Sequence, residues 1–134
     1  MAVVRLLGCT KEVGEVVARK RAKPDRIRQI YSWLQFSYPT PYPTKLKLVH
    51  GKKPRSDQGY VMLNGRNLVV HIDIKYPLHA CIDTVLHEYA HAVAWKHASM
   101  DAYVADHSDE WGLAFAKIYR DFNDEGGDAE SWEF

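Results

Sequence analysis

Residues 87–91, which read H-E-x-x-H, restrict the fold of this chain more than any other stretch. They fall in a run over residues 77–98 whose apolar spacing is typical of an α-helix. Because an α-helix has 3.6 residues per turn, His87 and His91 lie on one face, and both imidazoles can reach a zinc ion at about 2.0–2.1 Å. Glu88 lies beside the first of them, where its carboxylate can take a proton from water bound at the metal. The pattern predicts a zinc-dependent hydrolase, and a peptidase in particular.

The alternative interpretation of this motif is coincidence. The chain contains seven histidines, so the pattern can arise by chance, and two surface histidines on a helix would then have no function. The surroundings favour a real site. The motif falls on a helix with an apolar face of its own, and a further histidine follows at a useful distance along the chain.

Composition and charge indicate an ordinary globular protein. The net charge is +1, so no overall field favours nucleic acid or a membrane surface. Cys9 and Cys81 are the only cysteines and form no C-x-x-C pair, which excludes a zinc ribbon or a disulfide framework and predicts a reducing, intracellular and so cytoplasmic location. No apolar run approaches the ~20 residues of a membrane helix, and we expect no membrane partner.

The length of 134 residues suits one domain with a real core. We therefore expect a single domain over residues 1–134. Residues 1–22 are expected to add a strand and a helix, and residues 123–134 a flexible acidic tail. The predicted class is α+β, with a small, mostly antiparallel sheet, an N-terminal helix, the H-E-x-x-H helix and a following helix.

The elements before the motif follow from apolar periodicity and turn residues. A helix is predicted over residues 24–38, and alternating prolines end it. Residues 45–50 alternate as a half-buried strand, and residues 60–63 and 68–74 are joined across an Asn-Gly turn, which is a hairpin signal. The apolar positions expected to face the core of the first helix are Ile27, Ile30, Tyr31, Leu34 and Tyr38, with the stripe passing through Trp33 and Phe36.

The helix that carries the motif and the one after it have apolar faces as well. We expect the first to bury Leu78, Ile82, Val85, Leu86, Tyr89 and Val93, and the second to bury Trp111, Phe115, Ile118, Tyr119 and Phe122. Pro77 suits the first turn of the first helix, and Ser108 is the predicted N-cap of the second. His97 is expected near the helix C-terminus, where a cation is favourable. His71 and Asp73 would make a second pair of metal ligands, but the preferred interpretation is that they are exposed strand positions.

The third metal ligand has to come from another element, because a helix supplies only two and a catalytic zinc typically has three protein ligands plus an open position. His107 is the preferred candidate, since it directly precedes the next helix and histidine is the commonest metal ligand. Glu110 is the alternative. Asp106 and Asp109 are candidates for accepting hydrogen bonds from the ligand imidazoles.

The H-E-x-x-H motif, followed by His107 and the residues 108–111 that open the next helix, resembles the SprT-like family of zinc metallopeptidases. The hairpin over residues 60–74 is similar to the strands that precede the active helix in that family. The resemblance covers residues 24–122 and implies a minimal zincin-like fold. It also implies that His87, His91 and His107 are zinc ligands and that Glu88 is the general base. Ser108 stands where the family usually has glycine. Members include proteases acting on DNA-linked proteins and small stand-alone proteins, some of them in phages.

A peptidase would act on a protein or peptide whose backbone lies along an exposed edge of the hairpin, and Tyr103 and Arg120 are candidate oxyanion stabilisers. The alternative function is a non-catalytic, zinc-containing module that binds DNA or protein through the basic cluster near residues 19–28. The cluster contains Arg19, Lys20, Arg21, Lys23, Arg26 and Arg28. Such a run is a solvated helix end or a phosphate-contacting patch. A metal-free α+β domain with incidental histidines is the third hypothesis.

Overall fold

The computed structural model describes residues 23–51, 57–96 and 107–127, which form three helices around a three-stranded sheet. The α+β prediction is confirmed. The elements are α1 (Lys23–Ser37), β1 (Thr44–Val49), β2 (Gly59–Asn64), β3 (Asn67–Asp73), α2 (Leu78–Val93) and α3 (Asp109–Asp124). The predictions for residues 1–22, including Arg19, Lys20 and Arg21, and those for His97, Tyr103, Asp106 and residues 128–134 lie outside the described residues.

The sheet has the strand order β1-β3-β2 and is mixed, although we predicted a mostly antiparallel one. β2 and β3 form the predicted hairpin, in which Asn64 pairs with Asn67 and Gly65 adopts a φ of 63° in the turn. β1 instead pairs with β3 in parallel. β2 comes next in the chain but lies at the opposite edge of the sheet from β1, and the hairpin then returns β3 to the centre.

The core lies between one face of the sheet and the helices α1 and α2. Leu68, Val70 and Ile72 of β3 are completely buried, and their alternate spacing places them on one face of the strand. On the helices, the core includes Ile27, Ile30, Leu34, Ile82, Val85, Leu86, Tyr89, Ile118 and Phe122. Each such side chain contributes roughly 1.5–3 kcal/mol when it is removed from water, so this layer holds α2 in a fixed position on the sheet.

Three apolar residues that we assigned to buried stripes are exposed: Phe36, Leu78 and Tyr119. Phe36 is 92% exposed because it lies two residues from Leu34, about 200° further around the helix. Leu78 occupies the first position of α2, before the helix reaches the sheet. Tyr119 is 45% exposed, because it lies about 100° around α3 from the buried Ile118.

Two helix ends differ from the sequence-based prediction. α2 ends at Val93, not at residue 98, because the amide of Trp95 turns back to the carbonyl of Ala92 and the Trp95 ring enters the core. α3 extends to Asp124, into the segment predicted as a flexible tail. The turn after it is held by Arg26, whose Nη2 donates to the carbonyl oxygen of Gly127.

Asp73 is only 3% exposed, so its assignment as an exposed strand residue was wrong. Its carboxylate accepts hydrogen bonds from the backbone amides of Gly51 and Lys75 at 3.1 and 3.0 Å. His71 is half-buried and its ring is stacked on Tyr60 with 4.1 Å between ring centroids. Both side chains therefore make contacts within the fold toward the end of β3.

Gly59 of β2 leaves no room for a side chain against β3 and α2. A Cβ atom at this position would lie 2.6 Å from the carbonyl oxygen of His71 and 2.6 Å from the Cγ2 atom of Thr84. We expect Gly59→Ala to lower the free energy of unfolding by about 1–3 kcal/mol because the strand has to move away from the helix. Gly112→Ala is the matched control, since nothing lies within 4 Å of its Cβ position and alanine favours a helix by up to about 1 kcal/mol. Urea unfolding of both variants measures the difference, and equal stabilities would contradict the close approach.

None of the helices over residues 23–51, 57–96 and 107–127 has the length and apolar character needed to cross a membrane.

Candidate metal centre

α2 presents the H-E-x-x-H residues along the border of its buried face. His91 is 7% exposed and belongs to the buried side of the helix, while the side chain of His87 is 32% exposed. The two ring centroids are 5.1 Å apart, as expected for residues one helical turn apart on one face. Packing of Val85, Leu86 and Tyr89 into the core fixes the rotation of α2, so the two imidazoles point toward the N-terminus of α3.

The start of α3 positions the third histidine. The Ser108 hydroxyl accepts a hydrogen bond from the amide of Trp111 at 3.2 Å and is the N-cap of the helix. This confirms the predicted cap, and Asp109 and Glu110 are in the first turn of the helix. A capped helix has a defined first residue, and the backbone of His107, directly before the cap, is therefore held beside α2.

The three imidazoles of His87, His91 and His107 converge on one point. Their candidate ligand nitrogens all lie within 4.8 Å of one another, and the Nε2 atoms of His87 and His107 are 3.2 Å apart. In a tetrahedral zinc site with Zn–N bonds of about 2.0–2.1 Å, two ligand nitrogens lie about 3.3 Å apart. The residues present therefore fit a metal ion, and these three histidines could hold one.

The surroundings of His87 favour the neutral form of its imidazole, which is the form that can bind a metal. Burial and, to a lesser degree, the neighbouring His107 lower the pKa of His87 below its ordinary value. A neutral imidazole has a free lone pair for a metal, whereas an imidazolium has none. His87 is thus held in the form that can bind a metal at neutral pH.

Glu88 is a partly buried carboxylic acid beside this cluster. Its side chain is 13% exposed, and Oε2 lies 3.9 Å from Nε2 of His87. Burial first, and the negative charge of Asp57 second, raise the pKa of Glu88 to about 7. A carboxyl group with a pKa near neutrality can both accept and return a proton. Asp57 precedes β2 and was not singled out from the sequence, because nothing local connects it with a residue 31 positions later.

The raised pKa of Glu88 predicts a pH-dependent stability for the protein after chelation. A folded-state pKa above the unfolded value favours the native state below pH 4.5, and this contribution is lost as the pH rises through about 7. Glu88→Gln does not titrate. We therefore expect the variant to gain stability relative to the unsubstituted protein between pH 4.5 and pH 8, by roughly 3 kcal/mol. Urea unfolding in the presence of chelator at both pH values measures this gain, and a difference that is independent of pH would contradict it.

The other predicted site residues lie elsewhere. Glu110, the alternative ligand, is exposed and its carboxylate pairs with Lys96 at 2.9 Å. Arg120 is 13 residues beyond His107, and its charge acts on Tyr38 and Asp121. Glu110 is not among the residues that the described structure brings together as a metal cluster, and the same holds for His71, Asp73 and Asp109.

Two basic residues of the predicted nucleic-acid patch are used within the fold. The Lys23 ammonium donates to the carbonyl oxygens of Ile74 and Tyr76, both at 2.8 Å. The guanidinium of Arg26 is buried and bonds to Gln29 and Gly127. These two side chains connect α1 with the chain segments after β3 and α3.

An open groove of about 380 Å³ lies one helical turn beyond the histidines along α2 and α3. Pro41, Val93, Ala94 and Trp95 line it, and the Lys96–Glu110 ion pair borders it. The lining is mostly apolar, which suits a hydrophobic side chain.

Comparison of the chain with models of protein families, with curated proteins and with solved structures finds no match.

Proposed function

We propose that this protein is a zinc-dependent peptidase with His87, His91 and His107 as ligands and Glu88 as general base. One observation carries the proposal: two imidazoles of α2 and the imidazole of His107, which directly precedes the N-cap of α3, have candidate ligand nitrogens within 4.8 Å of one another. A carboxyl oxygen of Glu88 lies 3.9 Å from one of these nitrogens. Three protein nitrogens with an open fourth position are a typical ligand set of catalytic zinc. The resemblance of residues 24–122 to the SprT-like family supports the same reaction.

The residues of the chain have separate tasks in the proposed reaction. A bound zinc ion supplies a Lewis acid that lowers the pKa of water and polarises a carbonyl group. Glu88 takes the proton of the attacking water and returns it to the nitrogen of the leaving amine, so that the peptide bond breaks and the proton balance is closed. In the metal-free protein the pKa of this carboxyl group is raised to about 7, so its proton affinity is higher than that of an exposed glutamate. His87, with its lowered pKa, stays neutral and available as a ligand.

The substrate is proposed to bind as an added strand along β2. β2 is an edge of the three-stranded sheet, and at Gly59 it lies against α2 at Thr84, one turn before Glu88. Backbone groups of an edge strand can pair with an extended peptide. The groove beside Val93 and Trp95 offers room for a side chain of that peptide. We also propose a reducing, cytoplasmic location, in agreement with the buried free thiol of Cys81.

The experiment that tests this function is metal removal and replacement. We expect the purified protein to cleave a fluorescein-labelled unfolded protein, to lose the activity with a zinc chelator, and to recover it when about one equivalent of zinc is added. Inhibitors of serine and cysteine proteases serve as the control and should have no effect. Cleavage that persists after complete removal of metal would exclude the proposed reaction.

A further inference from the structure

The indole ring of Trp111 packs against all three imidazoles of the histidine cluster. Its ring centroid lies 4.9, 5.3 and 4.2 Å from those of His87, His91 and His107, respectively. From the sequence we assigned it to the apolar stripe of α3, and it is the last of the residues 108–111 that carry the resemblance to the SprT-like family. Its contact with all three candidate ligands was not predicted.

The indole N–H of Trp111 also makes a specific hydrogen bond. Nε1 donates to the backbone carbonyl oxygen of His87 at 3.2 Å. This bond connects α3 to the residue of α2 that carries the first ligand. The amide of Trp111 donates to the Ser108 hydroxyl at 3.2 Å, so the same residue also fixes the turn that follows His107. Trp111 is thus bonded on both sides of the gap that a metal ion would bridge.

The stacking of Trp111 limits the rotation of the imidazoles. Its plane is inclined by 27° to His91 and by 37° to His107, and Phe115 stacks on it at 5.1 Å with an angle of 12°. A ring held between aromatic neighbours has few alternative rotamers. The imidazoles packed against it share that restriction. Ligands that are already ordered lose less entropy when a metal binds.

We propose that Trp111 is a positioning residue that preorganises the three histidines and thereby sets the affinity and geometry of the metal centre. The inference rests on the proposed metal centre and deepens it. Two contributions are separable. The indole N–H fixes the distance between α2 and α3 at His87, and the ring surface fixes the orientations of His91 and His107.

Three variants separate these contributions from simple packing. Trp111→Phe keeps a ring but removes the N–H donor, and Trp111→Leu removes both. Trp33→Phe is the matched control, because Trp33 also packs against α3, at 6.0 Å from Phe122, and against Tyr38 at 5.6 Å. The Trp33 variant loses an indole that packs on the core. The described ring contacts of Trp33 are with Tyr38 and Phe122, and none of them is with a histidine of the cluster.

The test measures zinc affinity by competition with a chelating dye and the visible absorption of the Co²⁺-substituted protein. Replacing a residue that orients a metal ligand typically weakens metal affinity by about 10–100-fold. We expect Trp111→Leu to fall in that range and Trp111→Phe to lose less. Both should have cobalt spectra altered in band position or intensity, since those bands report ligand geometry. Trp33→Phe should keep the unsubstituted affinity and spectrum even if urea unfolding shows a loss of stability.

The inference is overturned if both Trp111 variants retain the unsubstituted zinc affinity and cobalt spectrum, because the residue would then act only in packing. It is also overturned, together with the proposed function, if the unsubstituted protein binds neither metal. If the variants alter metal binding but the unsubstituted protein cleaves no peptide, the inference stands and the peptidase proposal alone fails.

Discussion

Glu88→Gln is expected to abolish detectable peptide hydrolysis, with a loss of about 10²–10⁴-fold, while the zinc content stays near that of the unsubstituted protein. Glutamine has nearly the same size and shape as glutamate but cannot accept the proton of the attacking water. Because Glu88 lies 3.9 Å from a candidate ligand nitrogen and is not itself in the histidine cluster, we expect its replacement to leave the three candidate ligands in place. Initial rates on a quenched fluorescent peptide, normalised to bound zinc, measure the effect.

Asp57→Asn is the control for this experiment. It removes the charge that helps to raise the pKa of Glu88 but leaves the carboxyl group of Glu88 intact. We expect this variant to retain most of the peptidase activity. The acidic limb of its pH–rate profile should move to lower pH, because removal of the Asp57 charge lowers the pKa of Glu88. If Glu88→Gln keeps more than about a tenth of the rate at equal zinc occupancy, Glu88 is not the general base.

His107→Ala is expected to weaken zinc binding by on the order of 10²–10³-fold and to eliminate hydrolysis. Loss of one ligand removes roughly a quarter of a binding free energy of about 10–16 kcal/mol. The variant should otherwise fold normally, because His107 is exposed and lies before the first residue of α3. Zinc content after dialysis and affinity by dye competition are the measurements, with circular dichroism to check folding.

Glu110→Ala is the matched control for His107, since Glu110 is the other ligand candidate and stands three residues away on the same helix start. Its carboxylate pairs with the exposed Lys96, and exposed pairs contribute little to stability. We expect its zinc content to be unchanged. If zinc were lost from the Glu110 variant and kept in the His107 variant, the ligand assignment from the geometry would be wrong.

The sequence predicted those parts of the fold that depend on local patterns. Helical periodicity placed His87 and His91 on one face, an Asn-Gly turn predicted the hairpin, and the residue type of Ser108 predicted the cap of α3. Each of these signals lies within a few residues of the element that it specifies. The prediction that His107 joins the other two histidines also agrees with the geometry of the cluster.

The remainder could not be predicted, because it depends on contacts between distant residues. The indole of Trp111 bonds to a carbonyl oxygen 24 positions earlier, and neither its place in an apolar stripe nor its place in residues 108–111 predicts that bond. The parallel pairing of β1 with β3 joins two strands that are not consecutive in the chain, so no local turn signal specifies it. Lys23 is basic in the sequence, yet its ammonium is satisfied by two carbonyls more than 50 positions away.

The shallow anchoring of α3 has a consequence for how the protein responds to scarcity of metal. Only Ile118 and Phe122 of this helix are buried, whereas α2 buries nine of its residues. A ligand that binds residues of two elements at once stabilises the state in which both are folded, by its free energy of binding. α3 is therefore the segment whose local opening is most strongly linked to occupancy of the proposed centre. Zinc concentration would then control substrate turnover and also susceptibility of this one helix to proteolysis, while the sheet and α2 remain folded.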